Sequence, residues 1–254
     1  TFYSYLSGFF PFGNKFYFTA YTNSSGRELW VSDGTAGGTS MLVDATFGTS
    51  NTPPAYITPN GSYFFFFAEG GQELWKSDGT TGGSTMIGNV CTSPCYSYTY
   101  NAAPVLHNGQ FYFQSNGDVY SSDGNSIIQV NALNLAPGFT TAPTAFAGTN
   151  LGLLVALDNQ ADGNECWLYN GSTATLLGNI APHAMGSYAH YFFPYNNSVL
   201  MEAYSITTDF ELYKIDNITV TSGLDNIGAA TTTIGHLQVY PVPAGESVTI
   251  RFDA

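Results

Sequence analysis

Hydrophobic and polar positions alternate along this chain in short runs, and the runs are separated by Gly, Asn, Asp and Pro. Some runs are continuously apolar over the length of a strand, as in Tyr63 to Phe67. No stretch shows the 3.6-residue period of an amphipathic helix. Asn60-Gly61 and Asn108-Gly109 separate neighbouring runs in the way that hairpin turns do. The pattern therefore predicts an all-β chain of short antiparallel strands.

The strand pattern repeats along the chain. The segment GRELWVSDGTAGGT, from Gly26 to Thr39, returns almost unchanged as GQELWKSDGTTGGS, from Gly71 to Ser84. Three weaker copies follow, and one aromatic residue recurs in all five copies at steps of 45, 45, 47 and 46 residues. We call these residues the anchor aromatics: Trp30, Trp75, Tyr120, Trp167 and Tyr213.

Each copy contains four predicted strands in this order: a short apolar piece, an apolar run, the strand with the anchor aromatic and, after a turn, a further strand. Four short antiparallel strands in a repeat of this length are typical of a propeller blade. The sequence thus predicts a five-bladed β-propeller of four-stranded blades over residues 1–223. A β-solenoid, the alternative, normally has shorter repeats and fewer tight hairpins. Residues 224–235 are predicted to be a linker, and 236–254 to contain a tail strand.

The repeated segment has two readings. In the structural one, each anchor aromatic fills the space between neighbouring sheets, and Asp33, Asp78 and Asp123 form Asp-Gly turns in which Gly accepts positive φ. In the other, the same Asp residues bind calcium or a sugar once per blade. Calcium takes six or more oxygen ligands, and one Asp per turn supplies too few. We expect the structural role.

Charge and cysteine content narrow the class of protein. The 254 residues include five Lys plus Arg against eighteen Asp plus Glu, a net charge of −13, so the chain lacks the cations that nucleic acid requires. No apolar run is long enough for a transmembrane helix. Cys91 and Cys95 stand too close together and too isolated for zinc. They favour a local disulfide, with two free thiols as the alternative, and leave Cys166 as a buried free thiol.

We therefore expect no metal and no cofactor. The scarcity of Lys, the abundance of Thr, Ser, Asn, Gly and Tyr, and the possible disulfide favour an extracellular location.

Two resemblances add to this picture. The repeat resembles the ELWxSDGTxxGT repeat of secreted, propeller-like bacterial proteins, most closely over residues 26–44 and 71–88. The tail segment from Val239 to Ala244, followed by Ser247 to Phe252, resembles the start of the C-terminal sorting domain of type IX secretion substrates. That resemblance implies an origin in Bacteroidota and contact with the secretion machinery through the tail. The family usually has Asn where Val242 stands, and its domain is several times longer than this segment.

The loops at the two ends of the strands differ in character. The turns between the first and second strands and between the third and fourth strands are short and uniform. The other loops vary, as binding loops on a scaffold do, and two of them are rich in rings suited to stacking on sugars or to protein contact. The candidate ligand-binding residues are Tyr96, Tyr98, Tyr100, Tyr188 and His190. The alternative is that these aromatics only cover the ends of the sheets.

Catalysis is not expected. A propeller glycosidase needs two carboxylates near its axis, but the pieces predicted to be innermost contain no Asp or Glu, and no nucleophile motif or phosphate loop is present. We expect a secreted, non-catalytic protein of adhesion or glycan binding, with a glycan or a surface protein as partner. The alternative is a self-assembling subunit of an extracellular fibre or layer, joined through the C-terminal strand. A glycoside hydrolase is less favoured.

Overall fold

The computed structural model describes residues 7–46, 48–50, 52–91, 102–134, 142–181, 186–196, 198–205, 209–216 and 218. Over these residues the chain is all-β, with nineteen strands in five sheets. Two short 3₁₀ turns, Glu69–Gly71 and Asn131–Leu133, complete the regular structure. None of the helical segments in this part of the chain could cross a membrane. The predicted fold class is thus correct at the level of all-β.

The chain forms two compact units. One is Thr1–Tyr98 together with Ser122–Ile127, and the other is Thr99–Ser121 together with Ile128–Ala254. Sheet 1 of the first unit consists of β1 (Ser7–Phe12), β2 (Lys15–Thr22), β3 (Gly26–Ser32) and β4 (Ser40–Val43). Sheet 2 consists of β5 (Ala55–Asn60), β6 (Tyr63–Ala68), β7 (Glu73–Ser77) and β8 (Ser84–Asn89).

The remaining strands belong mainly to the second unit. Sheet 3 consists of β9 (Val105–His107), β10 (Gln110–Ser115), β11 (Asp118–Ser122) and β12 (Ile127–Gln129). Sheet 4 consists of β13 (Ala145–Thr149), β14 (Gly152–Asp158), β15 (Asn164–Tyr169) and β16 (Ala174–Gly178). Sheet 5 consists of β17 (His190–Tyr195), β18 (Ser198–Ser205) and β19 (Asp209–Asp216).

Every sheet runs in chain order, so that each strand pairs with the next one along the sequence. Sheets 1 to 4 have the four strands that the repeat predicts, and sheet 5 has three strands within the described residues. Residues 219–254, which hold the predicted linker and tail strand, lie outside the described part. The number of sheets and their strand order therefore agree with five blade-like repeats, while the propeller arrangement stays a prediction.

Two-residue loops join the first and second strands of the sheets. Four pairs of residues close these loops: Phe12 with Lys15, Asn60 with Tyr63, His107 with Gln110, and Thr149 with Gly152. Asn108 and Gly109 form the third loop, and both adopt the positive φ that such a hairpin needs. The prediction for Asn60 was wrong by one residue, because Asn60 is the last residue of β5 and the loop consists of Gly61 and Ser62.

A β-bulge interrupts the first strand of three sheets, and the sequence pattern did not reveal it. The pairing skips between Ser7 and Phe10, between Ala55 and Thr58, and between His190 and Phe193. Each skipped segment includes a residue in the left-handed region, namely Gly8, Tyr56 and Tyr191. A bulge bends a strand and redirects its side chains. In sheet 5 it redirects Tyr191.

The central strands of the sheets carry nearly continuous apolar runs, which is typical of strands that are buried on both sides. The sheets therefore have two apolar faces. We call the face that bears the anchor aromatic the anchor face, and the other the opposite face. The pairings that define the anchor face are Phe18 with Trp30, Phe66 with Trp75, Val155 with Trp167, and Met201 with Tyr213.

Three cores show how neighbouring sheets meet. The anchor face of sheet 2, with Phe64 and Phe66, packs on the opposite face of sheet 1, with Tyr17 and Leu29. The anchor face of sheet 4 packs in the same way on sheet 3, and that of sheet 5 on sheet 4. Within each unit, therefore, an anchor face always lies against the opposite face of the preceding sheet.

Candidate functional site

The Ser-Asp-Gly-Thr turn of the first repeat is a closed network of hydrogen bonds. The Asp33 carboxylate accepts from the backbone N–H of Thr35 at 2.9 Å and from its hydroxyl at 2.8 Å. The Ser32 hydroxyl accepts from Gly34 N–H, and the Thr35 hydroxyl accepts from Gly38 N–H. A Cβ on Gly38 would lie 2.0 Å from the Asp33 carboxylate, so a larger residue there would displace that carboxylate from the turn. The hydrogen bonds from Thr35 lower the pKa of Asp33.

The same Asp-centred turn recurs with other partners. Asp78 accepts from the N–H and hydroxyl of Thr80, Asp123 accepts from Asn125 and Ser126, and Asn170 takes the Asp position in the fourth repeat. Asp33 and Asp78 each use one carboxylate oxygen to accept both hydrogen bonds within their own loops. Within the described residues no group of three or more His, Cys, Asp or Glu is placed to hold a metal ion. The geometry favours the structural reading of these residues.

Three of the anchor aromatics pack in cores between neighbouring sheets, and the other two are described by contacts within their own sheets. Trp75 stacks on Phe66 with ring centroids 6.0 Å apart and packs against the core that sheets 1 and 2 share. Trp167 packs against the core of sheets 3 and 4, and Tyr213 is buried in the core of sheets 4 and 5. Tyr120 stacks on Phe113 at 5.9 Å. Trp30 lies on the anchor face of the first sheet, half-buried beside Phe18.

The glutamate of the ELW motif has a role that sequence reasoning missed. Glu28 is fully buried, and its carboxylate accepts hydrogen bonds from Ala45 N–H at 2.9 Å and Thr46 N–H at 3.1 Å. The Thr46 hydroxyl donates to it as well. Glu28 thus fixes the segment that leaves the fourth strand of the sheet. Burial raises its pKa, although these hydrogen bonds oppose the rise.

Glu165 performs the same task in sheet 4. It is fully buried, and it accepts from Ala181 N–H at 3.1 Å and from the Ser187 hydroxyl at 2.8 Å. Burial raises the pKa of Glu165 to about 6, although its hydrogen bonds oppose the rise. One carboxylate therefore clamps both ends of the loop that leads from sheet 4 to sheet 5. Glu recurs two residues before the aromatic anchor, but the recurrence alone did not indicate this role, because Glu73 at the same position is half-buried and accepts from Trp75 Nε1.

The loop that Glu165 holds leads into a cluster of rings on sheet 5, four of which are exposed. Tyr188 meets Tyr204 edge-on at 6.4 Å, and Tyr204 meets Phe210 at 5.5 Å. His190 lies 6.0 Å from Phe210 and 5.0 Å from Tyr191, and Tyr191 lies 6.2 Å from Phe193. We call this continuous set of six rings the ring cluster: Tyr188, His190, Tyr191, Phe193, Tyr204 and Phe210.

The backbone around Tyr188 is held on both sides. Before it, the N–H of Ser187 donates to the carbonyl of Asn164 at 2.8 Å, and the Ser187 hydroxyl oxygen lies 2.9 Å from the same carbonyl. After it, the carbonyl of Ala189 accepts from the Thr144 hydroxyl at 2.7 Å. Tyr188 itself adopts a left-handed φ of 48°, which costs a non-glycine residue about 1 kcal/mol. The fixed neighbours keep it in this conformation, with the ring exposed.

Polar groups stand beside the rings. His190 Nε2 lies 3.9 Å from Glu202 Oε2, and both side chains are partly exposed. The structure brings the two described candidates, Tyr188 and His190, into one cluster and adds four rings: Tyr191, Phe193, Tyr204 and Phe210. His190 was predicted to belong to a loop but is the first residue of β17. The hairpin pairing of Tyr204 with Phe210 is the signal from which their proximity could have been read.

Several other predicted residues lie outside the described part of the chain, and two cysteines lie within it. Tyr96, Tyr98 and Tyr100 fall outside the described residues, so their role stays a prediction. Cys91 is disulfide-bonded, and Cys166 is buried with a free thiol whose pKa is raised by burial. Cys95 also lies outside the described residues, and its pairing with Cys91 stays a prediction.

Comparisons with known proteins give only distant similarities. No family model matches the chain, and no curated protein matches it. Among solved structures, the β-propeller domain of the Trilobed protease from Pyrococcus furiosus is 11% identical, covers 85% of this chain and 71% of its own, and has a TM-score of 0.48. The nidogen/laminin complex is 11% identical, with coverages of 84% and 76% and a TM-score of 0.43.

The GH74 xyloglucanase from Xanthomonas campestris is 12% identical, with a TM-score of 0.48 over 80% of this chain and 35% of the enzyme. Similarity at this level does not transfer a ligand or an activity, because function depends on the residues of the site.

Proposed function

We propose that this protein is an exported, non-catalytic binding protein, that its five sheets are propeller blades, and that it binds a neutral glycan in adhesion at or outside the cell surface. The ring cluster of sheet 5 is the binding site. Export through the tail, the extracellular location and the bacterial origin are parts of the same proposal and rest on the sequence resemblances described above.

The observation that carries the proposal is the continuity of exposed rings. Tyr191 exposes 60% of its surface, and Phe193, Phe210 and Tyr188 are exposed beside it. Aromatic faces stack on the apolar faces of sugar rings, and nearby polar groups bond to the hydroxyls. Glu202 accepts such bonds, and His190 donates or accepts them according to its tautomer. A row of rings suits a chain of sugars better than it suits a single small molecule.

The burial and hydrogen bonding of the repeated carboxylates support a binding role without catalysis. Glu28 and Glu165 are sealed from solvent, and both carboxylates bond to the backbone. Asp33 and Asp78 each hold their own turn through one carboxylate oxygen. Glycoside hydrolysis needs two carboxyl groups that both face the substrate. These four residues do not provide that arrangement.

A binding measurement tests the proposal. Wild-type protein and the double variant Tyr191→Ala/Phe210→Ala are compared on an array of neutral polysaccharides, with Tyr195→Ala as the control. Tyr195 is an exposed ring of the same sheet at its other end. We expect the double variant to lose at least about tenfold in affinity, since each stacked ring contributes about 1 kcal/mol, and the control to bind as wild type does.

Salt dependence separates stacking from charge attraction. Binding of a neutral glycan should be the same at about 0.05 and about 0.5 M salt, because screening acts only on charges. A cationic partner attracted by the net charge of −13 would bind much more weakly at the higher concentration. A Tyr96, Tyr98 and Tyr100 triple Ala variant tests the second loop in the same assay. Unchanged glycan binding by the Tyr191→Ala/Phe210→Ala variant would refute the assignment of the site to sheet 5.

The alternative function, a self-assembling structural subunit, is favoured by a different observation. Apolar side chains are exposed on the first and last sheets, including Phe9, Phe16 and Leu212. Contiguous apolar patches on a protein surface mark contacts with other molecules.

A further inference from the structure

His107 is a buried histidine, and one of its ring nitrogens has no partner. The residue is 4% exposed, although Asn108 and Gly109, the loop residues that follow it, are exposed. Its Nε2 lies 3.2 Å from Nδ2 of Asn108. Within the described residues, its Nδ1 is buried and has no hydrogen-bond partner. A buried polar atom without a partner lowers stability, so His107 is unlike an ordinary core residue.

The backbone of the next sheet packs directly on this ring. Gly148 lies in β13, and a Cβ at Gly148 would lie 2.8 Å from Nδ1 of His107 and 3.0 Å from its Cβ. A larger residue at Gly148 would therefore push the imidazole ring out of place. β9, which carries His107, and β13 belong to the same compact unit. The ring is thus part of the contact between sheets 3 and 4.

Both residues depart from the repeat, and they do so at the same contact. His107 is the last residue of the first strand of its sheet, and the corresponding residues of the other sheets are Phe12, Asn60, Thr149 and Tyr195. Gly148 is one residue before that position in sheet 4, and its counterparts are Pro11, Pro59, Leu106 and Pro194. None of these counterparts ionises near neutral pH, and none is glycine. The ionisable ring and the missing side chain therefore occur together.

The described surroundings of the ring offer no charge to stabilise an imidazolium. The strands around it, β9, β10 and β13, contain no Asp, Glu, Lys or Arg. Tyr112 faces the ring with centroids 6.4 Å apart, and burial raises the pKa of Tyr112 to about 12. Tyr169 meets Tyr112 edge-on, and burial raises its pKa too. Both tyrosines are therefore neutral, and burial lowers the pKa of His107.

We propose that His107 is an acid-sensitive switch at the contact between sheets 3 and 4. At neutral pH the ring is uncharged and lies against Gly148. In acid it takes up a proton, so that both ring nitrogens carry hydrogens that need acceptors. The charged ring then leaves the contact for water and takes the hairpin loop of Asn108 and Gly109 with it. The first strands of the two sheets separate.

Opening of the contact is coupled to the uptake of one proton. The pKa of a histidine in water is about 6.5, and burial keeps the pKa of His107 below that value while the contact is closed. The closed state is therefore fully favoured above about pH 6.5 and loses stability as the pH falls further. The equilibrium constant for opening rises about tenfold per pH unit until the closed state also binds the proton. None of these residues belongs to the proposed glycan site.

Hydrogen exchange measured by mass spectrometry tests the switch. Wild type and His107→Gln are compared at the same pH, from about 7.5 to about 5, so that the intrinsic effect of pH on exchange cancels. Gln retains a polar side chain but does not ionise. Gly148→Ala tests the same contact without a charge, because its Cβ would displace the ring. Gly37→Ala is the matched control, since a Cβ there meets nothing within 4 Å.

We expect the acid effect to be confined to two strands. Below about pH 6.5, exchange in β9 and β13 should become faster in wild type than in His107→Gln, by up to about tenfold per pH unit. Sheets 1 and 2 should exchange equally in the two proteins. Gly148→Ala should exchange rapidly in β9 and β13 already at about pH 7.5, and Gly37→Ala should not. Added salt should leave the difference unchanged, because screening acts only between charges.

Two results overturn the proposal. One is equal exchange of β9 and β13 in wild type and His107→Gln at every pH. The other is an acid-induced increase that extends equally to sheets 1 and 2, since that is general unfolding rather than a local opening. Thermal unfolding at about pH 7.5 checks that each variant is folded. If His107→Gln does not fold, His107→Leu repeats the comparison with an apolar side chain that cannot ionise.

Discussion

Glu165 provides a quantitative test of how the binding loop is held. Its carboxylate is sealed from solvent and accepts from Ala181 N–H and from the Ser187 hydroxyl. The substitution Glu165→Gln keeps this geometry. The Gln carbonyl oxygen accepts from Ala181 N–H, and its amide group donates to the Ser187 oxygen, whose own hydrogen is then donated to the carbonyl of Asn164. The variant removes only the ability to ionise.

The pKa of Glu165 sets the magnitude of the effect. It is about 6 in the folded protein, because burial disfavours the charged form, against 4.5 for an exposed glutamate. The folded state thus binds this proton more tightly than the unfolded chain, so its contribution to stability falls as pH rises from about 4.5 through about 6. The full difference between the two pKa values corresponds to about 2 kcal/mol. About 1 kcal/mol of it is lost between about pH 5 and about pH 7.5.

Urea unfolding followed by tryptophan fluorescence measures this effect at pH values from about 5 upward, above the sequence pI of about 4.2, where the protein remains charged. All other carboxyl groups titrate equally in the two proteins, so the difference between their free energies of unfolding isolates Glu165. Relative to wild type, Glu165→Gln should gain about 1 kcal/mol between about pH 5 and about pH 7.5. If the free energies of unfolding of the two proteins change in parallel with pH, Glu165 is not a buried ionisable group. That result would refute its role in holding the loop.

Two further substitutions test the repeat itself by thermal or urea unfolding. Trp75→Ala should destabilise the protein by about 3 kcal/mol, because it deletes the ring that stacks on Phe66 in the core of sheets 1 and 2, and a smaller loss would place Trp75 outside that core. Gly83→Ala should lower the free energy of unfolding by about 2 kcal/mol, since its Cβ would lie 2.1 Å from the Asp78 carboxylate and break that turn. Gly82→Ala is the control, because a Cβ there meets nothing within 4 Å. Equal stability of the two variants would contradict the turn network.

Strand positions were largely predictable from the sequence, because they depend on local pattern and turn chemistry. The predicted spans Ser40 to Val43 and Val105 to His107 coincide with β4 and β9. The bulge at Tyr191 was not predictable, since a single extra residue does not disturb a short apolar run enough to be seen. The off-by-one placement of the Asn60 turn has a related cause, because a two-residue hairpin can begin at Asn or just after it.

The site was only partly predictable for a different reason. Tyr188 and His190 stood out as rings in a variable loop, but the rings they contact and the carboxylate that clamps the loop come from other strands. Glu165 reaches Ser187 across 22 residues of sequence, and no local pattern encodes such a contact. The recurrence of Glu28 and Glu165 at the same position of the repeat was visible in the sequence. Their function was not visible, because it depends on the loop that the fold places next to each strand.

The turn network of the first two repeats has a consequence for how such a chain can change in length. Residues 26–39 and 71–84 are nearly the same sequence, and Asp33 and Asp78 make the same bonds to Thr35 and Thr80. A genetic crossover between the two segments would delete 45 residues and leave one complete turn, with each hydrogen bond formed as before. The segments are therefore natural recombination points. Whole repeats can be lost or duplicated there without any intermediate that carries a broken hairpin.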